Sequence, residues 1–230
     1  MSTPRRRRTV AIVAARDEAG RVGATVAALR SIGSVETVIV ADDGSTDATS
    51  AEAMAAGARV LRSARNLGKG AALSAAAGAA LRSADVVLLA DGDLGASAAA
   101  LEALLGPVRA GRADLAVAAP PRAVSGGFGL VRRMAATLIR RAADLDISAP
   151  LSGQRAVSAE CLRACRPLAN GFGVDAAMVA DAARLGFRVV EVPVEFEHRS
   201  TGRDAAGFLH RARQGRDIFR ALAIRVAGWR

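Results

Sequence analysis

The feature that most constrains this chain is the alternation of short apolar runs with stretches of helical spacing. Thr9–Ala14 (TVAIVA), Thr37–Ala41 (TVIVA), Ala58–Leu61, Asp85–Ala90 (DVVLLA) and Asp114–Ala118 have the length and composition of buried strands. Between the first two, Val22, Val26 and Leu29 mark one face of a helix within Asp17–Ser31. Ser45 or Thr46 is placed to cap a helix through Ala56, and Gly57 to end it. Helices over Gly68–Arg82 and Ser97–Arg109 follow, the second stopping near Gly111. Strand-helix alternation of this kind predicts an α/β fold, with a mostly parallel central sheet and helices on both faces. Ligands of such sheets sit beyond the carboxyl ends of the strands.

The second half is less regular. Gly126-Gly127 opens a long arginine-studded helix to about Ala143, and a loop containing Pro150 follows over 144–152. A strand at Arg155–Val157, a helix over 158–165, a helix over Gly173–Leu185 and a strand over Arg188–Phe196 complete the reading. Ala205–Arg230 reads as a basic amphipathic helix. The 230 residues are expected to form one domain over 9–204, with a basic tail (1–8) before it and that helix (205–230) after it. Residues 9–119 and 120–204 are its expected halves.

Hydrophobic residues make up 51% of the chain, enough for a sizeable core, yet no stretch approaches 18 uninterrupted apolar residues. The run Thr9–Ala15 is too short for a signal sequence and leads straight into Arg16-Asp17-Glu18, so a cytoplasmic protein is expected. The net charge of +10, carried almost wholly by arginine, points to an anionic partner. Aromatics at 3%, with no tyrosine, argue against a base-stacking surface and hence against nucleic acid. Cys161 and Cys165 lack further ligands nearby and read as two ordinary thiols.

Chemistry is written at the strand ends. Three acidic clusters follow predicted strands directly: Arg16-Asp17-Glu18, Asp42-Asp43-Gly44-Ser45-Thr46-Asp47 and Asp91-Gly92-Asp93. One such cluster often does no more than cap the next helix. Three on one rim of a sheet suggest a metal–diphosphate site, because Mg²⁺ is usually held by one or two carboxylates plus substrate phosphates. Asp91 and Asp93, two apart in an extended segment, would point the same way. Gly68-Lys69-Gly70 would bring an anion close to a helix N-terminus. Neither a P-loop nor a G-x-G-x-x-G turn is present, which disfavours a dinucleotide oxidoreductase.

Taken in order, Ala15-Arg16-Asp17-Glu18-Ala19, Val40-Ala41-Asp42-Asp43-Gly44-Ser45-Thr46-Asp47, Asn66-Leu67-Gly68-Lys69-Gly70, Ala90-Asp91-Gly92-Asp93-Leu94, Leu151-Ser152-Gly153-Gln154-Arg155-Ala156 and Glu191-Val192-Pro193-Val194-Glu195-Phe196 resemble the family 2 glycosyltransferases of GT-A (Rossmann-like) fold. The nearest branch is the polyprenyl- and dolichyl-phosphate sugar synthases, with some features of the glucosyl-3-phosphoglycerate synthases. The resemblance implies transfer of a sugar from a UDP- or GDP-linked donor to a phosphorylated acceptor, lipid-linked or small. It implies nucleotide-sugar binding by Ala14, Arg16, Glu18, Asp43, Lys69, Asp91 and Gly92. Mg²⁺ or Mn²⁺ would be held by Asp91, Asp93 and His198. Arg155 would lie near the donor with a catalytic part, and Asp175 would be the base for a hydroxyl acceptor. Arg122, Arg133, Thr137, Arg199 and Arg203 are the implied acceptor-binding residues.

Departures are visible too. Gly95 stands where these synthases commonly carry Gln, and Asp17 where Asn is usual. Peripheral contact with an anionic membrane would fall to Arg5–Arg8 and the tail helix, and the same helix would serve a homodimer. A sugar-phosphate nucleotidylyltransferase would show a Gly-x-Gly-Thr-Arg loop after the first strand, and here Ala-Arg-Asp-Glu stands instead. A non-catalytic binder of polyanions or membrane surfaces would make no use of Asp93.

Overall fold

The computed structural model describes residues 7–119, 129–196 and 215–223. Seven strands form one sheet: β1 (Thr9–Ala15), β2 (Val35–Asp42), β3 (Arg59–Arg62), β4 (Val86–Asp91), β5 (Leu115–Ala119), β6 (Arg155–Ser158) and β7 (Val189–Pro193). Their spatial order is β3-β2-β1-β4-β6-β5-β7. All neighbouring pairs are parallel except those of β6, which is antiparallel to both β4 and β5. The parallel left half places three strand ends at one level, with Ala14 opposite Asp91 and Ala15 opposite Asp42. The acidic turns after β1, β2 and β4 thus meet on one rim.

Side chains alternate along each buried strand, so every strand feeds two cores. On one face Ile12, Ile39, Leu89 and Val117 pack with α3 (Lys69–Ala80), α5 (Gly129–Ala143), α6 (Ala159–Ala164) and α7 (Val174–Arg184). On the other, Val13, Val40, Leu88 and Ala118 pack with α1 (Val22–Ser31), α2 (Thr49–Ala55) and α4 (Glu102–Arg109). Each fully buried Leu or Ile there contributes on the order of 1.5–3 kcal/mol. Among the described residues no helix is long and apolar enough to cross a membrane.

Four expectations change. Helix α1 starts at Val22 rather than Asp17, because side chains from the next segment hold the chain in a loop. Thr49 Oγ1, Asp47 Oδ2 and Glu52 Oε2 accept from the N–H groups of Glu18, Ala19 and Gly20. Helix α2 starts at Thr49 rather than after Ser45 or Thr46. The Ser45 hydroxyl donates to Asp42 Oδ1 at 2.6 Å and Thr46 binds Asp17, so Asp47 instead accepts from the Thr49 N–H at 2.9 Å. The helix expected over Ser97–Arg109 divides into a 3₁₀ segment (Gly95–Leu101) and α4.

The fourth change concerns the tail. Residues 215–223 form a further helix, α8, which is no appendage. Ile218 and Leu222 are buried in the same core as α3 and α7. Cys161 and Cys165 are free and buried, as the sequence suggests. The neighbouring Cys165 sulfur and burial together push the Cys161 thiol well above its ordinary range.

Candidate active site

Beyond the carboxyl ends of β1, β2 and β4 lies a cavity of about 960 Å³. Both acidic turns that flank β1 are clipped to its end. The N–H of Gly92 donates to Ala14 O at 2.9 Å, and that of Asp43 donates to Ala15 O at 3.0 Å. Gly92 is closely packed, since a Cβ there would come within 3.1 Å of Ala15 Cβ and 3.3 Å of Ala14 O. Asp91 closes strand β4, but Gly92 and Asp93 already turn. The extended pairing expected of the two aspartates is therefore replaced by a tight turn, with both still on the cavity wall. Thr25 of α1 holds this turn from behind. Its fully buried hydroxyl donates to Gly92 O at 2.9 Å and accepts from the Gly95 N–H at 2.8 Å.

The second cluster divides its labour. Asp42 is wholly buried and accepts from Ser45 and Ser50. Burial works to raise its pKa, yet the Ser45 and Ser50 hydroxyls, the Ser45 N–H and nearby Arg62 prevail and hold it below the usual carboxylate range. Asp43 lines the cavity and accepts from the Leu67 and Gly68 N–H groups at 2.7 and 2.9 Å. It therefore fixes the entry to α3. Gly70, in the first turn of α3, presses against the backbone: a Cβ there would lie 1.9 Å from Ala169 O.

That packing delivers Lys69 to the centre. Its Nζ lies 2.8 Å from Asp91 Oδ1 and 3.0 Å from Asp175 Oδ2, with the side chain 15% exposed. Burial alone would lower the ammonium pKa; the Asp175 and then the Asp91 carboxylate outweigh it and hold the group charged, well above its ordinary range. On the far side of Asp91, the buried Gln154 amide donates to Oδ2 at 2.8 Å. Gly153 leaves room for this contact, since a Cβ would sit 2.5 Å from that same oxygen.

Arg155 requires a correction. It is fully buried and lies beneath the cavity rather than in its wall. Its guanidinium donates to Ser152 O at 2.7 Å, to Pro150 O at 3.1 Å and to Asp175 O. Burial lowers its pKa, opposed by Asp175 and then Asp91. With its donors turned to main-chain carbonyls, Arg155 joins the 150–152 loop to the start of α7, at Asp175.

The other expected residues divide into three groups. Ala14, Arg16, Glu18, Asp43, Lys69, Asp91, Gly92, Asp93 and Asp175 all line the one cavity. Arg133 and Thr137 share the exposed face of α5 and do not line it. Arg122, His198, Arg199 and Arg203 lie outside the described residues, as do most of the two basic tails. Sequence reasoning missed the clamp role of Gln154, the support from Thr25, and the wall formed by Arg216, Asp217 and Ile218 of α8. The SGQRA motif pointed at the first of these; nothing local marked the others.

Asp91 and Asp93 offer an all-oxygen donor set, suited to a hard divalent cation. Among the described residues no group of three or more His, Cys, Asp or Glu is arranged to hold a metal. This incomplete carboxylate set fits an ion that shares its shell with substrate phosphates and water.

The sequence model of glycosyl transferase family 2 matches residues 10–159, which hold β1 to β6 and most of the acidic rim. The chain belongs to glycosyl transferase family 2. It is a glycosyltransferase, and its sheet and helices form the GT-A fold of that family. Comparison with curated protein sequences gave no match. Among solved structures, glucosyl-3-phosphoglycerate synthase from Mycobacterium tuberculosis in complex with phosphoglyceric acid is 27% identical, with a TM-score of 0.80 over 96% of this chain and 80% of that one. The same enzyme in complex with Mn²⁺, UDP-glucose and phosphoglyceric acid superposes with a TM-score of 0.81, at the same identity and coverage. Its complex with Mg²⁺ and UDP also gives 0.81 at 27% identity, over 96% and 80% of the two chains.

Proposed function

We propose that this family 2 glycosyltransferase moves a sugar from a nucleoside-diphosphate donor, UDP-linked in the first instance, to a phosphate-bearing acceptor. One observation carries the reading: Glu18, Asp43, Asp91 and Asp93, from three separate strand ends, converge on one cavity whose base is the Asp91–Lys69–Asp175 chain. Support for the donor and acceptor classes comes from the relative solved with UDP-glucose and phosphoglyceric acid.

In this reading Asp91 and Asp93 hold Mg²⁺ or Mn²⁺. An ion held there would supply charge stabilisation for the departing diphosphate. The protein's own part is orientation. Gln154 and Lys69 fix both oxygens of Asp91, and Thr25 fixes the turn that carries Asp93. Asp43 and Glu18 face the nucleoside end. Asp175, steered by Lys69 and by Arg155 beneath it, faces the acceptor end. A phosphate acceptor is already ionised and requires no base; a hydroxyl acceptor would pass its proton to Asp175.

The test is product analysis by mass spectrometry. UDP- and GDP-sugars are incubated with Mn²⁺ and either phosphoglyceric acid or a short polyprenyl phosphate. A glycosylated phosphate ester that forms with wild type and is lost in Asp93→Asn supports the reading. Failure of every donor to react with either acceptor overturns it.

A further inference from the structure

The donor-side acids belong to the segment matched by the family model, but one wall of the cavity does not. Arg216, Asp217 and Ile218 come from α8, more than fifty residues beyond that match. The wall is firmly based. Ile218 and Leu222 are in the core, and Gly173 packs so closely that a Cβ there would sit 2.5 Å from Ala221 Cβ. Asp217 is seated too, with Oδ2 2.5 Å from where a Cβ on Gly171 would stand.

Among the described residues, the cations that line the cavity are Arg16, Lys69 and Arg216. Lys69 lies between two carboxylates, within 3.0 Å of each, so its charge is already balanced. Arg16 stands at the end of β1 beside Asp17, on the donor rim. Arg216 is exposed and loosely paired as Arg16 is, whose contact with Asp17 is also 3.6 Å, but it stands on α8 rather than on the strand-end rim. Its side chain is 66% exposed, and its contact with Asp217 Oδ1, at 3.6 Å, is an ion pair longer than a hydrogen bond. Its planar guanidinium therefore has donors available for an incoming anion, and that fork matches the geometry of phosphate or carboxylate. A fixed helix carrying a loosely paired arginine is suited to an anionic ligand that comes and goes.

We propose that Arg216 is a specificity-determining residue of this chain, binding the anionic group, phosphate or carboxylate, of the acceptor. The inference rests on the donor–acceptor reading above. It replaces Arg133 and Thr137, whose exposed face on α5 does not reach the cavity wall, as the described acceptor contact.

The test uses the full chain loaded with UDP and Mn²⁺, titrated calorimetrically with phosphoglyceric acid, inorganic phosphate or a short polyprenyl phosphate. Wild type is compared with Arg216→Ala, Arg216→Glu and Arg216→Lys. Expected is a weakening of the bound probe by about ten-fold or more in Arg216→Ala, the scale of one charge-assisted contact. Arg216→Glu should weaken it further and Arg216→Lys restore part, with UDP–Mn²⁺ affinity and melting temperature unchanged throughout. Which probe responds separates a small phosphorylated acceptor from a lipid-linked one. Wild-type affinity for the probe in Arg216→Ala overturns the inference, as does an equal loss of UDP–Mn²⁺ binding. Wild type that binds UDP–Mn²⁺ but no probe overturns the inference and leaves the donor assignment standing. Wild type that binds no UDP–Mn²⁺ overturns the underlying reading as well.

Discussion

Replacing Arg155 by methionine should damage the protein more than any surface arginine change. The side chain is 0% exposed, and its guanidinium satisfies the carbonyls of Pro150, Ser152 and Asp175 while lying 4.0 Å from Asp175 Oδ1. Methionine fills much of the volume but donates nothing. Each hydrogen bond to a charged group contributes roughly 1.5–3 kcal/mol, though these three overlap and do not add. Removing one partner of a buried ion pair costs about 3–5 kcal/mol, which sets the expected total. Against a typical stability of about 5–15 kcal/mol this is a large fraction. For a chain of this size it corresponds to a fall in melting temperature of about 6–20 °C. Calorimetry on wild type, Arg155→Met and Arg155→Lys measures it. Lysine should recover only part, because one ammonium cannot span three carbonyls so placed. If Arg155→Met melts within about 2 °C of wild type, the arginine does not join the 150–152 loop to α7 and the argument fails.

Further outcomes follow from the same geometry. Gly70→Ala puts a methyl 1.9 Å from Ala169 O, so a marked fall in melting temperature is expected, together with loss of donor binding as Lys69 shifts. Thr25→Val strands a buried carbonyl and a half-buried N–H behind the Asp93 turn; urea titration should show a loss of about 1–3 kcal/mol, with weaker Mn²⁺ affinity in the presence of UDP. The depressed pKa of Asp42 means that its contribution is fully present above the unfolded value of 3.8 and lost as pH falls through the lower folded value. Asp42→Asn should therefore be less stable than wild type at neutral pH, with the gap narrowing in acid below pH 3.8 when both are followed by circular dichroism.

Much of the fold was legible because apolar runs and glycine stops are local signals. Gly57, at φ 89°, does end α2 before β3, and the β4 run does carry Asp91 to the rim. The direction of β6 was not legible. A four-residue strand has the same pattern whether parallel or antiparallel, and only its partners, Val86–Leu89 and Leu115–Val117, decide. Helix starts went wrong where side chains bind across the gap, as Thr49 and Glu52 do to 18–20. Within the site, the acids were readable because each follows a strand. The burial of Arg155 was not legible, because a motif records which residue occurs, not whether it faces the cavity or the core. The α8 wall was hidden for the opposite reason. A basic tail looks solvated until Ile218 and Leu222 are seen to dock it.

In the proposed function Asp93 and its neighbours form a metal-dependent nucleotide site. The most direct measurement is a thermal-shift titration of wild type and Asp93→Ala with UDP-, GDP- and dTDP-sugars, each with and without Mn²⁺. One nucleotide is expected to stabilise wild type only when Mn²⁺ is present, and the folded Asp93→Ala protein to show no such shift. Stabilisation that ignores the metal, or that survives in Asp93→Ala, would contradict it.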